Sequence, residues 1–209
     1  MFKKLLMLFK IGRRLGTSGA LSSVYEIYNP PIAIKILFLI IGFNFENKKN
    51  DTNLPSGKKL CNALQEMGTT FIKLGQFLST RPDIIGESVS KELEKLQDKL
   101  PAFDITQAKN ILREELGNEN FKQIENISEP IAAASIAQVH FAEINTEKQK
   151  KEVALKILRP NIEKIFNDEL DALMLLAYII QGLVKKTKRL KLVEVVFLLK
   201  EITNLEMDL

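Results

Sequence analysis

Between Leu60 and Leu78 the large apolar side chains fall at 60, 64, 67, 71, 74 and 78, in alternating steps of four and three. At about 100° per residue this spacing gathers Leu60, Leu64, Met67, Phe71, Leu74 and Leu78 into one stripe. The pattern predicts a helix from about Lys59 to Ser79, stopped before Pro82. The opposite stripe is Thr69, Lys73, Gln76 and Thr80. A solvent-facing side usually mixes Glu and Lys, whereas this one sets a single Lys among small and amide groups. That suits a polar face held against something specific; an ordinary amphipathic helix fits the spacing equally well.

The rest of the chain places this helix in a mostly helical, α+β setting. Met1 to Leu15 interleaves Phe2, Leu5, Leu6, Phe9 and Ile11 with Lys3, Lys4, Lys10, Arg13 and Arg14 and contains no acid. It reads as a basic amphipathic helix that lies on an anionic membrane surface or docks on its own protein. After Pro30-Pro31, the run Ile32 to Phe43 reads as a helix buried on several sides, and the polar stretch Asn44 to Lys58 as a linker. Helices are expected over Ser88 to Leu100 and again after Asp104-Ile105-Thr106-Gln107, a capping box, with Gly117 at the far end. Gln138 to Ile144 and Glu152 to Leu158 then alternate in β fashion across a polar turn and predict a β-hairpin. Two helices close the chain, one from Arg159-Pro160-Asn161 through Lys186 and one from Leu192 to about Leu209, separated by the basic run Lys185 to Arg189.

Composition excludes several classes. The net charge of +4 is mild and partly local, which disfavours nucleic acid as a partner along the chain. Cys61 is the only cysteine, so no intramolecular disulfide forms, and beside Leu60 it reads as a small core residue. The only histidine, His140, lies in a strand and reads as packed rather than catalytic. No stretch reaches the roughly 18 apolar residues that span a bilayer, so membrane contact is expected to be peripheral, on the cytoplasmic side.

Four short stretches carry the chemistry: Lys73-Leu74-Gly75-Gln76, followed by Ser79-Thr80-Arg81-Pro82-Asp83; Ala132-Ala133-Ala134-Ser135; Val153-Ala154-Leu155-Lys156; and Glu206-Met207-Asp208. Lys156 sits in an apolar strand, where a lysine either snorkels to water or points into a cleft toward an anion. The alanine stretch precedes the first clear strand, where a phosphate-cradling loop belongs. Alanine restricts the φ > 0 freedom that glycine gives such loops. Lys73 and Gln76 are three apart on one helix face and can reach one spot.

Together, over residues 55 to 209, these elements resemble the UbiB family of atypical protein kinases, which support ubiquinone biosynthesis. The resemblance implies a helical amino-terminal extension followed by part of a kinase-like N-lobe. In that family a KxGQ helix lies across the nucleotide site and occludes protein substrates, giving Lys73 and Gln76 a regulatory role. Glu206 and Asp208 match the inhibitory ExD pair, with Glu206 as the salt-bridge partner of Lys73. The resemblance makes Ala132, Ala133, Ala134, Ser135 and Lys156 nucleotide-binding, for ATP or ADP with ADP favoured, and implies Mg2+ in the full-length family. The expected organisation is an amphipathic region and linker over 1–57, the KxGQ extension over 58–117, and a partial N-lobe over 118–209, cut within its αC-like helix.

The 209 residues contain no catalytic-loop aspartate with a downstream asparagine and no Asp-Phe-Gly. The family glutamate that pairs with the strand lysine is expected past Leu209. The reading is therefore the amino-terminal part of a UbiB-type kinase/ATPase at the membrane, which binds nucleotide without turning it over alone. Partners implied are nucleotide, an anionic membrane surface or prenyl lipid, and enzymes of ubiquinone biosynthesis. The alternative is a non-catalytic prenyl-lipid or partner-binding module. Direct polyprenylphenol hydroxylation ranks below both, because no GxGxxG flavin fingerprint or metal triad is present.

Overall fold

Gly68, at φ 93°, divides the long helix expected over residues 59–79 into two. A left-handed glycine ends one helix cheaply, and the apolar stripe runs on past the break, so spacing alone could not reveal it. The computed structural model describes residues 2–18, 23, 31–32, 34–36, 54–96, 100–145, 149–183 and 185–208. Its elements are α1 (Phe2–Thr17), α2 (Ser56–Met67), α3 (Thr69–Ser79), α4 (Pro82–Ile85), α5 (Glu87–Leu93), α6 (Ile105–Phe121), β1 (Ile124–Glu125), β2 (Pro130–Ala133), β3 (Ala137–Asn145), β4 (Lys150–Leu158), α7 (Ile162–Leu183), a 3-10 turn (Lys185–Leu190) and α8 (Leu192–Met207). They form two compact units, Met1–Gln97 with Glu163–Asp208, and Asp98–Ile162.

The first unit is helical. Leu60, Leu64, Met67 and Phe71 of the stripe are buried, while Leu74 and Leu78 are half-buried. Ile72 and Cys61, off the stripe, are buried as well, because α3 meets α2, α5 and α8 at once. Burial, and after it Glu92, pushes the Cys61 thiol up. Helix α1 buries Leu8 and Ile11, and its Arg14 fixes it in place. Arg14 Nη1 donates to Glu169 Oε1 at 2.9 Å, Nη2 donates to Met67 O, and the guanidinium sits 5.9 Å from the Phe71 ring centroid. A cation at Met67 O meets the negative end of α2, where carbonyls lack intrahelical partners. Lys4 adds an ion pair to Asp171 at 2.9 Å. The helix is thus docked on its own unit.

Several boundaries move from those the sequence suggested. Ser56–Lys58, expected in the linker, form the first turn of α2, and residues 44–53 lie outside the described residues. The helix expected over Ser88 to Leu100 is Glu87–Leu93, and the one expected to reach Lys186 ends at Leu183. The basic run, expected as a loop, is a 3-10 turn in which Lys188 and Arg189 are exposed. Of the run Ile32 to Phe43, described in part, Ile34 is buried but Ile32 and Ile36 are exposed.

The second unit is one helix and one sheet. Asp104 caps α6 by accepting from the Thr106 N–H at 2.7 Å, and that bond holds its carboxyl below the usual carboxylate range. Gly117 (φ 76°) kinks the helix as a left-handed glycine does, and Leu116 beside it is exposed. Strand β3 is central to the antiparallel sheet. One of its edges pairs with β4 along nine residues, Ala137↔Leu158 through Asn145↔Lys150. Its other edge pairs with β2 and then β1, end to end, interrupted near Asn126 at φ 51°. Ala108, Leu112 and Ile157 form the core, with Phe103, Ile111, Phe121, Ile127 and Leu155 against it. The expected hairpin is present in full register.

Candidate functional site

Strand alternation decides which side chains share a face. On β4, Leu155 and Ile157 turn toward the core, which puts Ala154 and Lys156 on the other side, where both are exposed. Across the sheet, Ala132 of β2, Val139 of β3 and Lys156 of β4 stand in one row. The alanine stretch and the strand lysine therefore share a face, beside Phe141, which pairs with Ala154 and is exposed. Lys156 is exposed on the face of the sheet turned away from the core of its unit.

The alanine stretch is also less of a loop than its position suggested. Ala132 and Ala133 are strand residues paired with Val139 and Gln138. The turn proper is short and closes with Ala134 N–H donating to Ala137 O at 2.8 Å. Ser135 is buried within it. Arg159 reaches the turn twice: its backbone N–H donates to Ile136 O at 2.8 Å, and its Nε and Nη2 donate to Ala134 O at 3.0 and 2.8 Å. Nη2 also donates to Pro101 O at 3.0 Å, and the guanidinium lies 5.8 Å from the Phe103 ring centroid.

A second buried group braces the same region. Gln138 Oε1 accepts from Phe103 N–H at 2.9 Å, and its Nε2 donates to Phe103 O at 3.2 Å. That orientation presents the Gln138 amide N–H to His140 Nε2 at 2.8 Å, so Nε2 accepts and Nδ1–H donates to Ser128 O at 2.7 Å. His140 is a packed, hydrogen-bonded strand histidine, and both side chains are fully buried. Sequence reading left Gln138 and Arg159 without a role. The available signals were an amide at a core-facing position of an alternating strand, and an arginine directly before Pro160, where the chain must turn.

In the helical unit, Lys73 Nζ lies 2.7 Å from Glu206 Oε2, with the lysine side chain 12% exposed and the carboxylate 38%. Gln76 is half-buried, and its carbonyl accepts from Ser79 Oγ at 2.6 Å. Asp208 is exposed at the end of α8, its N–H donating to Asn204 O at 3.0 Å. Gly75 is buried, and a Cβ there would collide with Leu96 Cδ1 and come within 3.0 Å of Leu64 Cδ1. Lys73, Gln76, Glu206 and Asp208 thus belong to one unit, and the alanine stretch and Lys156 to the other. Among the described residues, no group of three or more His, Cys, Asp or Glu side chains is arranged to hold a metal ion, and no helix is long and apolar enough to cross a membrane.

Comparison with known proteins identifies the family. Residues 95–209 match the family model described as an ABC1 atypical kinase-like domain. The chain is 43% identical over 152 residues to a probable protein kinase UbiB of Glaesserella parasuis, covering 71% of this chain and 28% of that protein. It is 38% identical over 168 residues to a probable protein kinase UbiB of Marinobacter nauticus, and 39% identical over 145 residues to one of Azotobacter vinelandii. Those alignments cover 79% and 68% of this chain and 29% and 26% of the relatives. The chain therefore spans less than a third of the length of these curated relatives.

Proposed function

Because the chain belongs to the ABC1 atypical kinase-like family, we propose that it binds an adenine nucleotide on the open face of its sheet. The observation that carries this is the row Ala132, Val139, Lys156. It sets a cation and a tight alanine turn on one face, with an apolar surface of Val139, Ala154 and Phe141 beside them. The residues present fit the group. Lys156 supplies the charge that a nucleotide's α- and β-phosphates need, and the flat apolar patch suits a base. ATP or ADP is the ligand, with ADP favoured as the family resemblance implies for an alanine-rich turn.

Magnesium is a different matter. Bound magnesium would neutralise charge on the phosphates during transfer. The 209 residues carry no Asp-Phe-Gly and no catalytic-loop aspartate to supply its ligands or to position a nucleophile, so no transfer step is assigned to them. In a longer UbiB-type protein the same face would serve a kinase or ATPase supporting ubiquinone biosynthesis. There Lys73, Gln76, Glu206 and Asp208 would be regulatory. A thermal-shift titration with ADP tests the reading: the expected result is a saturable rise in melting temperature that Lys156→Ala abolishes. No rise in the wild-type chain overturns it.

A second reading, a lipid-binding module at a membrane surface, rests on α1. Its Leu5, Leu6 and Phe9 are exposed beside Lys10 and Arg13, even though Leu8 and Ile11 of the same helix are buried. Apolar anchors ringed by cations suit an anionic headgroup region. Binding to anionic vesicles that weakens with salt, with none to neutral vesicles, is the expected result; equal binding to both excludes it.

A further inference from the structure

We propose that Arg159 is the positioning residue of the alanine turn: its guanidinium, not its charge alone, sets where the turn stands over the nucleotide face. This rests on the nucleotide reading above and adds to it the device that fixes the turn.

Arg159 holds both carbonyls that flank Ser135. Its backbone N–H takes Ile136 O, and its guanidinium takes Ala134 O through two nitrogens. The same guanidinium ties that carbonyl to Pro101 O, three residues before the N-cap of α6. The Gln138 amide grips Phe103 next to it from both sides. The turn is thereby strapped to the helix that carries the unit's core. Such a strap matters more for an alanine turn than for a glycine one. A glycine loop can swing onto phosphates by sampling φ > 0, whereas alanine pays for that swing in strain, so the turn's resting position is its working position. At the other end of β2, His140 Nδ1–H holds Ser128 O, so the whole segment from Ser128 to Ala134 is pinned at both ends by side chains from the neighbouring sequence. A planar fork is needed at Arg159, because one point charge cannot span Ala134 O and Pro101 O with directed bonds.

The test compares the full 209-residue chain with its Arg159→Gln and Arg159→Lys variants, by hydrogen exchange and by ADP and adenosine titration. In Arg159→Gln, exchange should rise in the peptide containing Ala133 to Ala137 and stay unchanged in the β3–β4 register. Affinity for ADP should fall about tenfold while that for adenosine stays within about twofold, since only phosphates meet the turn. Arg159→Lys should fall between the two. Unchanged exchange at the turn, a rise spread across β3 and β4, or equal loss for ADP and adenosine each overturns the proposal. Wild-type ADP affinity in Arg159→Lys does so too, since charge alone would then suffice. A wild-type chain that binds no ADP sinks the nucleotide reading separately, and the exchange result then decides by itself whether the guanidinium holds the turn.

Discussion

Lys73 and Glu206, on α3 and on the last turn of α8, form an ion pair at 2.7 Å in which the lysine is nearly covered and the carboxylate is more than a third exposed. This asymmetry bounds its strength. Exposed pairs contribute about 0–1 kcal/mol, while breaking a fully buried one costs about 3–5 kcal/mol. Lys73→Ala and Glu206→Ala are each expected to lose about 1–2 kcal/mol, with a coupling of about 1 kcal/mol in a double-mutant cycle read by urea unfolding. Additive losses would mean the two side chains are neighbours without an energetic link.

Arg14 is expected to matter more than any other residue of α1. Removing it leaves the Glu169 carboxylate, 8% exposed, without its guanidinium, and uncovers Met67 O and the Phe71 ring. Half the arginine side chain is in water, so Arg14→Ala should cost about 2–3 kcal/mol rather than the full buried-pair figure. Arg14→Lys should recover only part, because an ammonium cannot fork between Glu169 and Met67 O. Urea midpoints of the three chains measure this. Full recovery by lysine would show that the fork geometry is irrelevant.

Gly75→Ala sets two effects against each other. Alanine gains about 1 kcal/mol in helix propensity over glycine, but its Cβ would run into Leu96 Cδ1 and press on Leu64 Cδ1. Both leucines are buried, and overpacking a filled core costs about 1–3 kcal/mol. The net expectation is a loss of up to about 2 kcal/mol, read as a lower melting temperature. A stabilised Gly75→Ala chain would show that Leu96 gives way freely.

Asp171 gives the first unit an acid sensitivity. Lys4, at 2.9 Å, and Lys200, at 3.3 Å, hold its carboxyl below its ordinary value of 3.8. A depressed carboxylate stabilises the fold above the unfolded-state value and loses that contribution as pH falls through the folded one. The loss is therefore expected below about pH 4, and Asp171→Asn should flatten that part of the stability curve. Raised salt should shrink the difference, since the group is partly in water. An unchanged acid limb in the variant would remove Asp171 from the account.

How much of this was legible in the sequence depends on what each residue type signals. The hairpin could be located, with strand ends off by one or two residues, because two β-prone runs flank a polar turn. Its faces could not: the register turns Leu155 and Ile157 toward the core and Val139 and Phe141 to the other side. Most helices could be located by their stripes but not bounded. Gly68 interrupts the chain without interrupting the stripe, so its break left no trace in the spacing. Ala132 and Ala133 looked like loop because alanine carries no β signal; the strand arises from pairing with Val139 and Gln138. Lys73 and Glu206 were paired through a motif resemblance, since nothing local links them. The strap from Arg159 to Ala134 and Pro101 depends on where three separated segments meet, and no periodicity encodes that.

One feature of the sheet bears on how the molecule behaves in concentrated solution. Strand β4 pairs only with β3 among the described residues, so its far side is an edge of the sheet. Such a rim is a template on which another strand can crystallise or aggregate. Its lysines, Lys150, Lys151 and Lys156, outnumber its one acid, Glu152, although Lys150 is paired with Glu125 at 2.8 Å, and what repulsion remains between two such rims is screened by salt. Ionic strength as well as protein concentration thus governs whether molecules zip together along that strand, and solution scattering at low and high salt, at one concentration, would show it as a shift in apparent mass.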